Sequence, residues 1–374
     1  MVSIARSMLL FDWRRYLAAV LAVTFSGLLV IVQLALLLGM FSTVSVAIDR
    51  STADIWIGYR NTPSVDLGRP IAREADSRAW AHRGIERIER FASAYGDLRR
   101  EDGAPVSVVI NAIDTSRSAI AFAKLLSPAQ RALLREPDAI LIDVADTRKL
   151  DANVGTVVEI NGKRARIAGV VEGLRAIGGV NVIASFATAR MLAPETASLP
   201  TFSLVRLKSG YAAEVVAEEI ADTARVPRYS VWTANDFSLR SQTYWLLESG
   251  AGIGSGFASL LALLVGLVIT SQTLSGAILG SIKEFAALRA LGVSQGSLRA
   301  VVIEQAVWVG LAGLTATALL TGIIAWLGHL GRIAMSYPWW MLLASAAALM
   351  GIAVVSGLLA LRPLLQAEPA SLLR

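Results

Sequence analysis

The chain has 374 residues, of which 55% are hydrophobic and 17% charged, and its formal net charge is +6. This charged fraction is low for a soluble protein, and the composition excludes disordered, collagen-like and disulfide-rich classes. The absence of cysteine removes thiolate metal ligands and cysteine nucleophiles. Residues 42–248 hold 26 basic and 25 acidic residues, so the positive excess lies elsewhere in the chain. No broad basic face for nucleic acid is therefore expected.

Four long apolar stretches are predicted to cross a membrane. A span needs about 20 apolar residues in a helix, because lipid offers no partner to unpaired backbone groups. The predicted spans are 16–41, 249–282, 300–328 and 333–361. The first is about twice as long as the apolar region of a signal peptide, so we interpret it as an uncleaved anchor. A cleaved signal peptide is the alternative.

Lysine and arginine near the span ends predict the orientation, because cytoplasmic loops carry an excess of these residues. They occur before the first span, between the second and third spans, and after the fourth. The terminal segments 1–15 and 362–374 and the link 283–299 are therefore predicted to be cytoplasmic. Residues 42–248 are predicted to lie outside.

The outside segment is predicted to be an α+β domain, so the fold class is four transmembrane helices with this domain inserted between the first and second. Apolar, β-branched runs predict strands over 54–59, 106–113 and 139–144. Asn161-Gly162 supplies the two positive-φ residues of a type I′ turn and so predicts a hairpin of 154–160 with 163–171.

Helices are predicted at three places in this domain. Ile85, Ile88 and Phe91 recur at three-residue spacing, which favours a helix over 78–95. Ser127-Pro128 is typical of a helix start. A β-α-β tail is predicted to lead into the second span, with the elements 202–207, 212–224 and 229–232.

No pattern predicts a catalytic residue, a metal site or a cofactor bound by this chain. The two histidines, His82 and His329, share no predicted face, and no nucleophile elbow or phosphate-binding loop occurs. A glycine-rich run opens the second span and follows no strand, so we interpret it as a helix-packing surface and not as a dinucleotide loop. This predicted packing surface comprises Gly250, Gly252, Gly254, Gly256 and Gly266.

The link after the second span carries the clearest functional pattern. Its apolar residues recur at three-residue spacing between charged ones, which predicts a short amphipathic helix that ends at a glycine. The residues themselves leave two roles open, a helix lying on lipid headgroups and a docking helix for a cytoplasmic partner. The predicted coupling residues are Lys283, Glu284, Phe285, Leu288, Arg289, Leu291 and Gly292.

The run Lys-Glu-Phe-Ala-Ala-Leu-Arg-Ala-Leu-Gly at 283–292 resembles the signature of FtsX/MacB-type ABC transporter permeases, as do Glu304 and the C-terminal run from Arg362 to Arg374. The order of one span, a large outside domain and three spans is similar to that family. The preceding Gln-Thr-Leu at 272–274 and the chain length resemble the DevC-like branch most.

The resemblance implies a non-catalytic permease subunit in the bacterial inner membrane, paired as a homodimer. A separate ABC ATPase would bind the link 283–299 and would hold the ATP and Mg²⁺. Its motion would reach the periplasmic domain and drive export of a substrate. The DevC-like branch further implies a periplasmic adaptor and an outer-membrane channel.

Two alternatives remain. The FtsX branch implies a regulator of a cell-wall hydrolase, but its outside domain is typically smaller than residues 42–248. The second alternative is a membrane-anchored sensor. It is a poor fit, because three spans cluster at the C-terminal end and no cytoplasmic output domain is predicted. An ion- or proton-coupled carrier is disfavoured, because Glu304, at a cytoplasmic end, is the one charged residue in the predicted spans.

Overall fold

The computed structural model describes residues 9, 11, 13–72, 74–100, 102–175, 179–222, 227–248, 250–280, 293–331 and 333–366. The chain divides into two compact units. The membrane unit comprises Met1–Gly39 and Gly252–Arg374, and the α+β domain comprises Met40–Ala251. The predicted fold class is confirmed, because the α+β domain is inserted between the first and second of four apolar helices in the described chain.

The α+β domain combines short helices with nine strands in the described chain, and the membrane unit is helical. The helices are α1 (Trp13–Val44), α2 (Val46–Asp49), α3 (Ser77–Ala81), α4 (Pro128–Leu133), α5 (Thr147–Leu150), α6 (Phe186–Leu192), α7 (Ala213–Ile220), α8 (Ala234–Thr243), α9 (Ala251–Gly280), α10 (Gln295–Leu330) and α11 (Trp339–Gln366). The strands are β1 (Ile55–Tyr59), β2 (Ile85–Arg99), β3 (Pro105–Ile113), β4 (Ala139–Asp143), β5 (Val157–Ile160), β6 (Lys163–Val171), β7 (Val180–Ser185), β8 (Phe202–Leu207) and β9 (Tyr229–Thr233).

Helices α1, α9, α10 and α11 are long and apolar enough to cross a membrane. Helix α11 begins at Trp339 and not at the predicted residue 333. Pro338 explains the difference, because proline restricts the residue before it to extended backbone and starts a helix well. The residues before it form an extended link, in which the Ser336 N–H donates to the Ala35 carbonyl of α1 at 3.0 Å. Helix α10 begins at Gln295, earlier than the predicted residue 300.

The α+β domain has two lobes that share strand β2. In the first lobe, the N-terminal half of β2 pairs with β8, which pairs with β1, which pairs with β9. In the second lobe, six of the described strands close into a barrel in the order β2-β3-β7-β4-β6-β5. Alternate residues of these strands, among them Leu98, Ile110 and Ile142, fill the interior of the barrel.

The predicted helix over 78–95 is wrong, because only its first residues are helical, in α3, and β2 occupies the rest. A β-bulge between Ile85 and Arg87 inserts one residue, so Ile85 and Ile88 reach the same core at three-residue spacing. Phe91 lies on the opposite face of the strand and packs in a different core. A helical repeat therefore arises from a bulged strand with two buried faces.

The predicted hairpin is confirmed. Asn161 and Gly162 have φ values of 50° and 73°, the left-handed backbone that the tight turn requires. The predicted helix start is also confirmed, since Ser127 and Gln130 form a reciprocal capping box with Pro128 in the first turn. The three predicted strands and the β-α-β tail are present as well. In the tail, α7 ends at Ile220, and residues 223–224 of the predicted helix lie outside the described residues.

Candidate functional site

The predicted coupling residues lie outside the described residues, so their role stays a prediction. They are Lys283, Glu284, Phe285, Leu288, Arg289, Leu291 and Gly292. The described chain resumes at Val293, and Ser294 caps α10 by accepting the Ser297 N–H at 3.2 Å.

Helix α1 packs against both helices that flank this segment. At the end of α9, a Cβ placed on Gly280 would lie 3.5 Å from a guanidinium nitrogen of Arg15. At the start of α10, Leu298 and Val302 pack against Tyr16 and Ala19 of α1 in one apolar cluster.

Small residues bring α1 and α10 close together. A Cβ on Gly27 would lie 2.7 Å from the Thr317 Oγ1, and one on Gly313 would lie 2.6 Å from Val23 Cγ1, so neither glycine has room for a side chain. Thr24 Oγ1 donates to the Val20 carbonyl at 2.8 Å and approaches the Gly313 carbonyl at 3.4 Å. Close backbone approach through glycine is a common way for membrane helices to associate.

The glycines of the predicted packing surface differ in their surroundings. Gly266 contacts α1, since a Cβ there would collide with Ser26 Oγ. A Cβ placed on Gly254 or Gly256 would meet no described atom within 4 Å, so this part of α9 is open in the single chain. Gly252 is buried, and Gly250 has a φ of 78°, a conformation that favours glycine at the turn into α9.

A cluster of polar side chains joins the two ends of the α+β domain, and we call it the neck clasp. It comprises Ser45 and Asp49 at the domain's entry and Ser238 and Gln242 of α8 at its exit. Asp49 accepts hydrogen bonds from Ser45 Oγ at 2.6 Å and Ser238 Oγ at 2.8 Å. Gln242 Nε2 donates to Ser45 Oγ at 3.0 Å and Ser238 Oγ at 3.2 Å. The segments that continue into α1 and α9 are thus held to each other.

A π-helical turn, Tyr244–Glu248, connects α8 towards α9. Trp245 Nε1 lies 3.2 Å from both carboxylate oxygens of Asp66. Upstream, Ser241 Oγ accepts the Val65 N–H at 3.1 Å, and Arg240 Nε donates to the Thr62 carbonyl at 3.1 Å. The exit segment is therefore fastened to the loop 62–66 as well as to the entry segment.

The sequence carried no signal for the neck clasp. Its members are single serine, aspartate and glutamine residues separated by nearly the whole domain, and no spacing rule relates them.

Buried charges fasten the loop after β3 to the shared strand. Glu89 of β2 is 4% exposed and accepts the backbone N–H groups of Ile120 and Ala121. Burial raises the pKa of Glu89, and these two hydrogen bonds oppose the rise. Arg131, also 4% exposed, donates to the Asp114 carbonyl at 3.1 Å and to the Ala121 carbonyl.

Two carboxylates, Asp143 and Asp146, lie at the end of β4 and just after it. Asp143 is 1% exposed and accepts the N–H groups of Ala145, Gly173 and Leu174 at 2.6–2.8 Å. Burial raises the pKa of Asp146 to about 6, and repulsion from Asp143 adds to the rise. No cluster of three or more His, Asp or Glu side chains that could hold a metal occurs in the part of the chain that the structure describes.

Two family models match the chain. Residues 16–223 match the MacB-like periplasmic core domain, and residues 256–369 match the FtsX-like permease C-terminal region. No curated protein sequence matches.

Two solved structures resemble part of the chain. The periplasmic region of MacB from Actinobacillus actinomycetemcomitans has 12% identity and a TM-score of 0.38, covering 51% of this chain and 94% of that one. The extracellular domain of the noncanonic ABC-type transporter YknZ from Gram-positive bacteria has 16% identity and a TM-score of 0.35, covering 48% and 98%.

We expect Asp146→Asn to stabilise the chain above about pH 6. The folded chain holds the Asp146 proton more tightly than the unfolded chain, so stability falls as pH rises from the ordinary pKa of 3.8 to about 6. Asparagine removes this loss, by about 1 kcal/mol after allowing for partial solvent screening. The measurement is the unfolding midpoint of the detergent-solubilised chain at pH 4.5 and pH 7.5. A variant that gains equally at both pH values would contradict the assignment.

Proposed function

The chain belongs to the family of FtsX-like permeases with a MacB-like periplasmic core domain, and on that basis we propose that it is the permease subunit of an ABC exporter whose ATPase is a separate polypeptide. The observation that carries this proposal is the pair of family matches, which cover the α+β domain and the membrane helices in that order. The chain is accordingly a multi-pass membrane protein of the transporter type.

In the proposed mechanism, the ATPase docks on the segment 283–292, with Phe285, Leu288 and Leu291 as apolar anchors. Glu284 and Arg289 form a polar rim, Lys283 flanks it, and Gly292 ends the helix. The contacts of Arg15 with the end of α9 and of Tyr16 with the start of α10 support a transfer of motion to α1. Helix α1 continues into the neck clasp, which links its motion to the α+β domain.

The energy for this motion comes from the partner in our proposal. ATP and Mg²⁺ bind to the ATPase, and this chain supplies no catalytic residue. A scarcity of charged residues in the predicted spans supports the idea that transport is not driven by ion flow across this subunit. The DevC-like resemblance supports a periplasmic adaptor and an outer-membrane channel as further partners.

We further propose that two copies pair through α9. Within one chain, 17% of the apolar membrane-spanning stretch of α9 is buried, whereas 50% of the corresponding stretch of α1 is buried. Apolar side chains such as Phe257 and Leu260 are exposed on α9, beside the open Gly254 and Gly256. Small residues next to exposed apolar ones permit close helix approach in a membrane.

The docking proposal predicts the effect of single substitutions on ATPase binding. Phe285→Ala and Leu288→Ala should each reduce copurification of the coexpressed ATPase more than tenfold, because a buried anchor contributes about 2 kcal/mol or more and 1.4 kcal/mol is a factor of ten. Arg289→Ala should weaken binding modestly, and more at low salt. Undiminished binding by Phe285→Ala, with altered lipid association alone, would show that the segment is an interfacial helix.

The proposed orientation predicts the pattern of thiol labelling, since the chain has no native cysteine. Ser209 and Ser297 are both exposed and lie in the α+β domain and at the start of α10. A membrane-impermeant thiol reagent should label Ser209→Cys in spheroplasts and should label Ser297→Cys only after the membrane is opened. The reverse pattern would place the α+β domain in the cytoplasm.

The pairing proposal predicts that Gly256→Leu lowers the dimer fraction in detergent. A Cβ at this position meets no described atom within 4 Å, and Gly256 is exposed, so folding of the monomer should be unaffected. Gly322→Leu is the matched control, because Gly322 is equally open but lies on α10. Equal dimer fractions for the two variants would refute a seam on α9.

A further inference from the structure

The α+β domain contains a cleft of about 80 Å³ between the outer face of the barrel and the segment that follows α1. One wall is apolar and consists mainly of Val44, Val46, Ala47 and Val65. The facing wall is polar and includes Ser93 of β2, Asn111 of β3 and Asn181 of β7. The cleft therefore has one side suited to hydrocarbon and one suited to hydrogen bonding.

The polar wall is a chain of hydrogen bonds between buried side chains. Ser93 Oγ donates to Asn111 Oδ1 at 3.2 Å, and Asn111 Nδ2 donates to Asn181 Oδ1 at 3.1 Å. Asn181 Nδ2 in turn donates to the Arg175 carbonyl at 3.1 Å. Asn111 and Asn181 are 4% and 7% exposed. Because these hydrogen bonds offset the cost of burying the two amides, the pair forms a stable polar surface on the wall of the cleft.

The hydrogen bonds orient these amides and leave them further capacity. Each amide has two N–H donors and two acceptor lone pairs, so Asn181 can accept and donate one more bond each. A ligand group with both an N–H and a C=O, such as an amide, would use both. The orientation is set before any ligand arrives, which lowers the entropy cost of binding.

The charges around the cleft exclude an anionic ligand. Among the described residues that line it, Asp66 is the one charged side chain, and no lysine or arginine is present. Asp66 is already engaged by Ser64 Oγ and by Trp245 Nε1. A phosphate or carboxylate would enter this cleft without a cation to pair with, whereas the uncharged donors and acceptors of the polar wall match an uncharged polar group.

We propose that the cleft binds the amide-bearing end of an uncharged amphipathic molecule, which is the class of substrate that the exporter carries. Its volume of about 80 Å³ is that of two or three water molecules, which suits one amide group. The rest of the molecule extends out through the opening. This inference rests on the proposed exporter function and specifies the substrate class.

The cleft is joined to the neck clasp through its apolar wall. This wall includes Val44, Val46 and Ala47, which lie next to Ser45 in the sequence. The Ser45 hydroxyl accepts a hydrogen bond from Gln242 of α8 in the neck clasp. A displacement of the end of α1 therefore moves this wall relative to the barrel. The proposed motion of α1 would in this way alter the cleft.

The test is photolabelling of the full chain in lipid nanodiscs without ATPase. One probe is a dodecanoyl glycinamide that carries a diazirine on its acyl chain, and the other is the matching hydrocarbon without the amide. We expect the amide probe to label the peptide containing Val109 and Asn111 preferentially. Asn111→Leu should lower this labelling threefold to tenfold, the effect of about 0.7–1.4 kcal/mol for one or more lost hydrogen bonds, and should spare the hydrocarbon probe.

Two further variants keep the result interpretable. Asn153→Leu, at an exposed position outside the cleft, should leave labelling unchanged. Ala47→Phe fills the cleft from the apolar wall without touching the hydrogen-bond chain and should abolish labelling by the amide probe, even if Asn111→Leu fails to fold. Amide labelling that is the same in wild type, Asn111→Leu and Ala47→Phe overturns the proposal. Because no ATPase is present, this failure is distinct from loss of ATPase binding by Phe285→Ala.

Discussion

The packing of Trp56 determines where the α+β domain receives and returns the chain. Its ring is fully buried, with centroids 5.8 Å from Phe91, 5.4 Å from Phe202 and 5.9 Å from Phe237. Trp56 lies just after the entry segment, and Phe237 lies in the exit helix α8. Because aromatic side chains bury large areas, this cluster holds the entry and exit segments of the domain together. The neck clasp is partly exposed, so its hydrogen bonds orient these two segments more than they stabilise the fold.

In the membrane unit, one helix, α1, contacts several other elements. Helix α1 contacts the end of α9 and the start of α10. Where α1 and α10 meet at glycines, the two backbones lie so close that no side chain fits between them. The extended link before α11 adds a backbone hydrogen bond at Ala35 and packs Ala334 onto Gly39. Within the membrane unit, α1 therefore contacts α9, α10 and the link before α11, whereas most of the apolar surface of α9 is exposed in the single chain.

Sequence patterns predicted the elements that depend on local chemistry. The spans followed from length and apolarity, the hairpin from Asn161-Gly162, and the start of α4 from Ser127-Pro128. Strand β2 was predicted wrongly, because its bulge and its two buried faces give Ile85, Ile88 and Phe91 a helical spacing. The neck clasp and the Asn111–Asn181 pair were not predictable, since they depend on contacts between residues distant in sequence. The coupling residues stay predictions, because they lie outside the described residues.

The sharing of strand β2 by the two lobes has a consequence for how the domain unfolds. Residues 92–99 of β2 close the barrel against β3 and β5, while residues 85–91 pair with β8 in the first lobe. Opening either set of hydrogen bonds removes a neighbour from the other set through the same stretch of backbone. We therefore expect the two lobes to unfold together and their amides to exchange in one cooperative unit. The shared strand would thus make one cooperative unit of a nine-stranded sheet whose domain has three separate apolar clusters.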